Sequence, residues 1–230
     1  MKLVLFDIDG TLLLTDGAGR RAIGQALRDE AGTAGPIDTY RLDGKTDRQI
    51  VRDLLTAAGH EAADDADRIS AVCRRYVTLL ERELDATPGA TRLLPGVHGV
   101  LDALEQRGDA MVGLLTGNLV EGAALKLRAA GIDMARFAVG AYGSDHADRP
   151  ALPPIASRRA ALLMGRELSG ADVIIIGDTP ADMTCGSSIA ARAIGVATGK
   201  YPRAELLAAG AYAAFDDLAD VAGVLAAIYA

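Results

Sequence analysis

The sequence predicts an α/β fold, a Rossmann-like parallel sheet covered by helices on both faces, with an all-helical domain inserted after the first strand. Three observations predict it. The chain opens on a short apolar run that ends abruptly in acidic residues. From residue 92 onward, short apolar runs alternate with helical patterns, and that succession within one sheet implies parallel crossovers. Between these two regions the apolar positions keep helical spacing, with no convincing strand.

Lys2 to Phe6 is apolar and partly β-branched, and it runs into Asp-Ile-Asp-Gly-Thr-Leu, a strand ending in a polar loop. From Ala18 to about Ala31, the residues Ala22, Ile23, Ala26 and Leu27 fall on one helical face. Further helical patterns cover Asp47 to Ala58 and roughly Asp65 to Leu84. Thr87-Pro88-Gly89 and Leu94-Pro95-Gly96 then punctuate the chain. Later strands are expected at Met111 to Leu115, Phe137 to Val139, Val173 to Ile176 and Ala193 to Val196. The helices expected between them are Val97 to Gln106, Val120 to Ala130, Leu152 to Leu168 and Ala181 to Ala191. This reading gives a core of residues 1–14 and 92–230 and a helical insertion of residues 15–91, which leaves and returns near the end of the first strand as a lid would.

Composition narrows the functional classes. A net charge of -7 argues against a chain built to hold a phosphate backbone, and aromatics at 4% leave few platforms for stacking bases. The apolar run before Asp7 is too short for the core of a signal peptide, and no stretch approaches 18 apolar residues. Cys73 and Cys185 belong to no metal-binding spacing and read as small buried hydrophobes. The expectation is a cytoplasmic protein without nucleic-acid or membrane partners.

Open parallel sheets place their chemistry beyond the carboxyl ends of the strands. Asp7 and Asp9 stand one residue apart at the first such end. Carboxylates this close repel unless a cation or shared proton compensates, so a divalent metal is one reading and a turn closing the strand is the other. The second end carries Thr116-Gly117-Asn118, a hydroxyl and loop amides suited either to phosphate oxygens or to capping a helix. The third carries Gly177-Asp178-Thr179-Pro180-Ala181-Asp182, where Pro180 suits a helix start and Asp178 or Thr179 a cap. Three oxygen-rich strand ends together outweigh the three local explanations.

Taken in order, Asp7-Ile8-Asp9-Gly10-Thr11, Thr116, a basic residue ahead of a helix, and the segment from Gly177 to Asp182 closely resemble the haloacid dehalogenase superfamily of phosphohydrolases, near its phosphoglycolate-phosphatase-like members. The helical insertion resembles the C1-type cap of that family. The resemblance implies an Asp7 nucleophile that forms an aspartyl-phosphate and an Asp9 general acid/base. It implies Mg²⁺ held by the Asp7 carboxylate, the Asp9 carbonyl and Asp178, with Asp182 ordering metal-bound water. Phosphate would meet Gly10, Thr116, Gly117, Asn118 and a basic residue. In the family that residue is most often Lys beside Pro; here Asp148-Arg149-Pro150 stands in its place, so the assignment falls on Arg149, whose planar fork also suits phosphate. The substrate would be a small phosphate ester. A phosphomutase of the β-phosphoglucomutase type shares the same residues, and a noncatalytic binding protein would be expected to have lost an acidic motif.

Gly44-Lys45-Thr46 looks like the end of a P-loop, but Thr39 stands where its first glycine belongs and no buried strand precedes it. In the insertion, Arg20, Arg21, Arg41 and Lys45 are candidates for a second anionic group, with surface charge as the alternative reading of each.

Overall fold

The computed structural model describes residues 1–230. Its strands are β1 (Lys2–Phe6), β2 (Leu13–Leu14), β3 (Arg92–Leu93), β4 (Ala110–Thr116), β5 (Val139–Tyr142), β6 (Val173–Gly177), β7 (Arg192–Val196) and β8 (Ala213–Phe215). The helices are α1 (Ala18–Ala31), α2 (Asp47–Ala57), α3 (Ala66–Ala86), α4 (Val97–Arg107), α5 (Val120–Ala129), α6 (Leu152–Met164), α7 (Pro180–Cys185), α8 (Arg203–Ala208) and α9 (Val221–Tyr229).

Six strands form one sheet in the order β5-β4-β1-β6-β7-β8. Every neighbouring pair is parallel. The chain builds outward from β1 through β4 to β5, then returns to the other side of β1 for β6, β7 and β8. The order therefore reverses at β1, and the loops after β1, β4 and β6 meet at this switch point.

Strand side chains alternate between two buried faces. Val4, Phe6, Leu114, Ile174, Ile176, Ile194 and Val196 pack with α4, α5 and α9. Leu3, Leu5, Leu115, Val173 and Ile175 pack with Leu152, Ala156 and Ala160 of α6. Burial on both faces explains why these strands read as unbroken apolar runs.

Between β2 and β3, which pair antiparallel as Leu13 with Leu93 and Leu14 with Arg92, the chain forms only helices. Residues of α1, α2 and α3 have their own core, which includes Ile23, Leu27, Leu54, Tyr76 and Leu80 and gains Leu119 from the loop after β4.

Several boundaries differ from the sequence reading. Helix α6 stops at Met164 because Gly165 takes a left-handed backbone (φ 66°) that closes the last turn. Helix α7 ends at Cys185, before Gly186 and a separate 3-10 turn at Ser187–Ile189, since glycine is a poor helix former. Phe137 closes another 3-10 turn, which delays β5 to Val139. The edge strand β8 and helices α8 and α9 went unassigned in the sequence. At three residues, β8 is too short for a periodic signal.

Candidate active site

Asp7 follows β1 directly, and its N–H donates to the Ile176 carbonyl of β6 at 2.9 Å, which holds its carboxyl at the centre of the sheet edge. Oxygens of Asp7, Asp178 and Asp182 lie within 4.8 Å of one another, and all three residues are buried. Burial pushes the Asp7 carboxyl up to about 6 against the pull of Arg149, with Asp182 and Asp9 adding to the rise. Burial, then Asp182 and Asp7, drive Asp178 well above the carboxylate range. Asp7 Oδ1 has no hydrogen-bond partner. A buried, unpartnered carboxylate oxygen in an acidic cluster fits an oxygen-seeking divalent cation.

Asp182 is spoken for. Its Oδ2 accepts from Thr179 N–H at 3.0 Å and Thr179 Oγ1 at 2.6 Å, a capping box that starts α7. Its Oδ1 meets Arg149, which also lies 3.2 Å from Asp7 Oδ2. Arg149 is 4% exposed; burial opposes its charge, but Asp182 and Asp7 outweigh that and raise its pKa. The guanidinium thus bridges β1 and the start of α7.

Asp9 sits at the cavity side of the same loop. Asn118 Nδ2 donates to Asp9 Oδ2 at 2.7 Å and to Thr116 Oγ1 at 2.8 Å. Lys126 of α5 donates to both Asp9 oxygens, at 2.8 and 2.6 Å, and to Asn118 Oδ1 at 2.6 Å. Gly10 has φ 80°, and a Cβ there would fall 2.3 Å from Asp178 Oδ2, so the loop can close over Asp178 only with glycine.

The loop before α2 docks onto the loop after β4. Asp47 N–H donates to the Gly117 carbonyl at 2.8 Å, and the Asp47 carboxylate accepts from Leu119 N–H at 2.8 Å. Thr46 caps α2 through Gln49 N–H and also donates to the Ala147 carbonyl. Burial pushes Asp47 up to about 6, with Lys126 and the Leu119 N–H opposing.

A cavity of about 330 Å³ lies between these loops and α1–α3. Asp7, Asp9, Gly10, Thr116, Gly117, Asn118, Arg149 and Asp178 all line it. Of the four cations expected from the insertion, Arg20 and Lys45 line it and Arg21 and Arg41 do not. Arg20 donates to the Ile37 and Tyr40 carbonyls, and Lys45 pairs with Asp53 at 2.9 Å. Arg21 pairs with Glu83, and Arg41 lies over the Tyr201 ring.

Residues 1–189 match the family described as haloacid dehalogenase-like hydrolase. The chain belongs to this family. No curated protein matches the hydrolase in sequence. Among solved structures, a hydrolase from Pseudomonas syringae has TM-score 0.76 at 21% identity, covering 99% of each chain. CbbY from Rhodobacter sphaeroides, in complex with phosphate, has TM-score 0.71 at 20% identity over 96% of each chain. A predicted phosphoglycolate phosphatase from Haemophilus somnus has TM-score 0.69 at 22% identity over 98% of each. At such identities the likeness is one of fold.

Three residues at the hydrolase's site escaped the sequence reading: Lys126, Asp47 and Tyr76. Lys126 carried the one available signal, a charge three residues after Ala123 and one before Leu127, on the buried face of α5. Asp47 reads as an ordinary acid in a first helical turn, and Tyr76 as a core aromatic. No helix of the hydrolase is long and apolar enough to cross a membrane.

Proposed function

We propose that this hydrolase is a Mg²⁺-dependent phosphomonoesterase acting on a small phosphate ester, with Asp7 as nucleophile. The observation that carries the reading is the unpartnered Asp7 Oδ1, buried beside Asp178 and Arg149 at the floor of a cavity whose wall holds Asp9. In the first step an Asp7 oxygen bonds to phosphorus, the ester P–O bond breaks, and Asp9 gives its proton to the departing alcohol. In the second, water attacks the aspartyl-phosphate, the Asp7–phosphorus bond breaks, and Asp9 takes the water's proton. Arg149, Thr116 and the amides near Gly10 and Gly117 hold the phosphoryl oxygens.

Asp7, the Asp9 carbonyl and Asp178 would hold Mg²⁺, while Asp182 keeps Arg149 and the start of α7 in place. When bound, Mg²⁺ supplies the charge neutralisation that lets an anionic nucleophile approach an anionic ester. Residues 15–91 act as a cap over a core of residues 1–14 and 92–230, and the Asp47 contacts with Gly117 and Leu119 latch the two.

Phosphate release from a simple monoester in ¹⁸O-water tests the reading. Multiple turnovers should yield ¹⁸O-labelled inorganic phosphate, and Asp7→Asn should abolish them. Fast isomerisation of a hexose phosphate with negligible phosphate release would replace the phosphatase with a mutase.

A further inference from the structure

Tyr76 of α3 is 2% exposed, yet it lines the active-site cavity and its hydroxyl makes no hydrogen bond within the protein. Its ring is fixed by the core of α1–α3 and by close approach to Gly122 of α5, where a Cβ would lie 3.9 Å from the ring. The hydroxyl opens onto the cavity rather than being sealed from it, so a ligand oxygen there can accept the bond that no protein group takes.

The space in front of this hydroxyl is defined by Gly19. A Cβ placed on Gly19 would stand 3.7 Å from Tyr76 Oη and 3.8 Å from Lys126 Nζ. Lys126 in turn grips the carboxylate of Asp9. The cavity volume over Gly19 therefore adjoins Lys126 and, through it, the residue that would protonate the leaving oxygen.

We propose that Tyr76 and Gly19 form the subsite for the leaving alcohol, and that this alcohol carries an uncharged acceptor oxygen, a hydroxyl or carbonyl, close to the ester. The inference rests on the phosphomonoesterase reading and deepens it. Burial keeps the Tyr76 phenol protonated, hence able to donate. The three protons of Lys126 already go to Asp9 and Asn118, so Tyr76 is the free donor. The choice of a neutral acceptor follows from the charges nearby. Asp47, and Asp9 when ionised, act on Tyr76 electrostatically, while the cations of the cavity wall are already engaged, Lys126 by Asp9 and Asn118, Arg20 by the Ile37 and Tyr40 carbonyls and Lys45 by Asp53, so a neutral acceptor suits this place better than a carboxylate. Leu14, Ile23, Leu42 and Ile50 supply the apolar walls that suit the carbon skeleton.

The test compares kcat/KM for glycerol 1-phosphate, propyl phosphate, methyl phosphate and phosphoglycolate in wild type, Tyr76→Phe and Gly19→Ala. Phe keeps the ring in the core, so folding is preserved. Glycerol 1-phosphate should be preferred over propyl phosphate, and Tyr76→Phe should lower its kcat/KM by about tenfold while propyl phosphate stays within about twofold. Gly19→Ala should slow glycerol 1-phosphate while sparing methyl phosphate, which does not reach that volume. An unchanged preference in Tyr76→Phe overturns the subsite, and a Tyr76-dependent preference for phosphoglycolate overturns its neutral character. If wild type hydrolyses none of these esters, the phosphomonoesterase reading fails. Calorimetric binding of glycerol 1-phosphate and propyl phosphate with Mg²⁺ then reads the same ratio and judges the subsite separately.

Discussion

Lys126 Nζ lies 2.8 Å from Oδ1 and 2.6 Å from Oδ2 of Asp9, so one ammonium spans both oxygens of the proposed acid/base. The lysine side chain is 5% exposed and the aspartate side chain 43%. The buried partner is the fixed one. Helix α5 therefore sets where the Asp9 carboxylate rests before substrate arrives.

Lys126→Met tests that positioning. Methionine keeps the length and apolar stem but releases Asp9, so kcat should fall by about tenfold or more while the fold survives. Steady-state kinetics together with a melting curve separate the two effects. Wild-type kcat in a well-folded variant would reduce the ion pair to packing.

Metal binding should depend on pH in a stated direction. Burial pushes the Asp7 carboxyl up to about 6 and raises Asp178 as well, so at pH 5 the metal-free site holds protons that Mg²⁺ must displace. Apparent Mg²⁺ affinity should climb from pH 5 to 7, with proton release visible by calorimetry in buffers of differing ionisation heat. Asp178→Asn should weaken binding and leave melting in EDTA unchanged or raised. PH-independent affinity would contradict the assignment of these ligands.

Arg149→Met should expose the opposite face of the same electrostatics. It leaves Asp7 and Asp182 buried without their cation, a change that costs about 3–5 kcal/mol and lowers Tm by roughly 10 °C. Added Mg²⁺ should recover part of the loss above pH 7, where it supplies the missing positive charge. Equal melting temperatures with and without Mg²⁺ would argue against a shared site.

Asp47 makes a prediction about stability alone. Its folded-state pKa of about 6 exceeds the ordinary 3.8, so between these values the folded state binds the extra proton. Its contribution therefore favours folding at low pH and declines as pH rises from about 4 to 6, by at most about 3 kcal/mol. Asp47→Asn keeps an acceptor for Leu119 N–H and carries no charge. Denaturant titrations should show it flatter over this window than wild type and at least as stable at pH 7.

The strands and their polar ends were legible because both are local. A parallel strand buried on two faces must be apolar along its length, and the residue where that run stops must face the sheet edge. On that basis Asp7, Thr116 and Asp178 could each be placed at the carboxyl end of a strand, while the strand order that makes β4, β1 and β6 neighbours came from the tertiary structure. The cations of the insertion were not legible in the same way. Arg20, Arg21, Arg41 and Lys45 look alike in sequence, and only the rotation of α1 and the path of the loop before α2 turn Arg20 and Lys45 toward the cavity.

By itself the sequence determined the α/β alternation, the helical character of residues 15–91, and the three oxygen-rich strand ends, since hydrophobic period and turn chemistry act over a few residues. The tertiary structure alone decided that Lys126 reaches Asp9, that Arg149 joins Asp182 to Asp7, that Asp47 meets Leu119, and that the Tyr76 hydroxyl stands free over Gly19. Each of these pairs joins residues at least 33 positions apart. Their contact depends on strand order and helix rotation, which emerge only when two apolar cores are packed against one sheet edge.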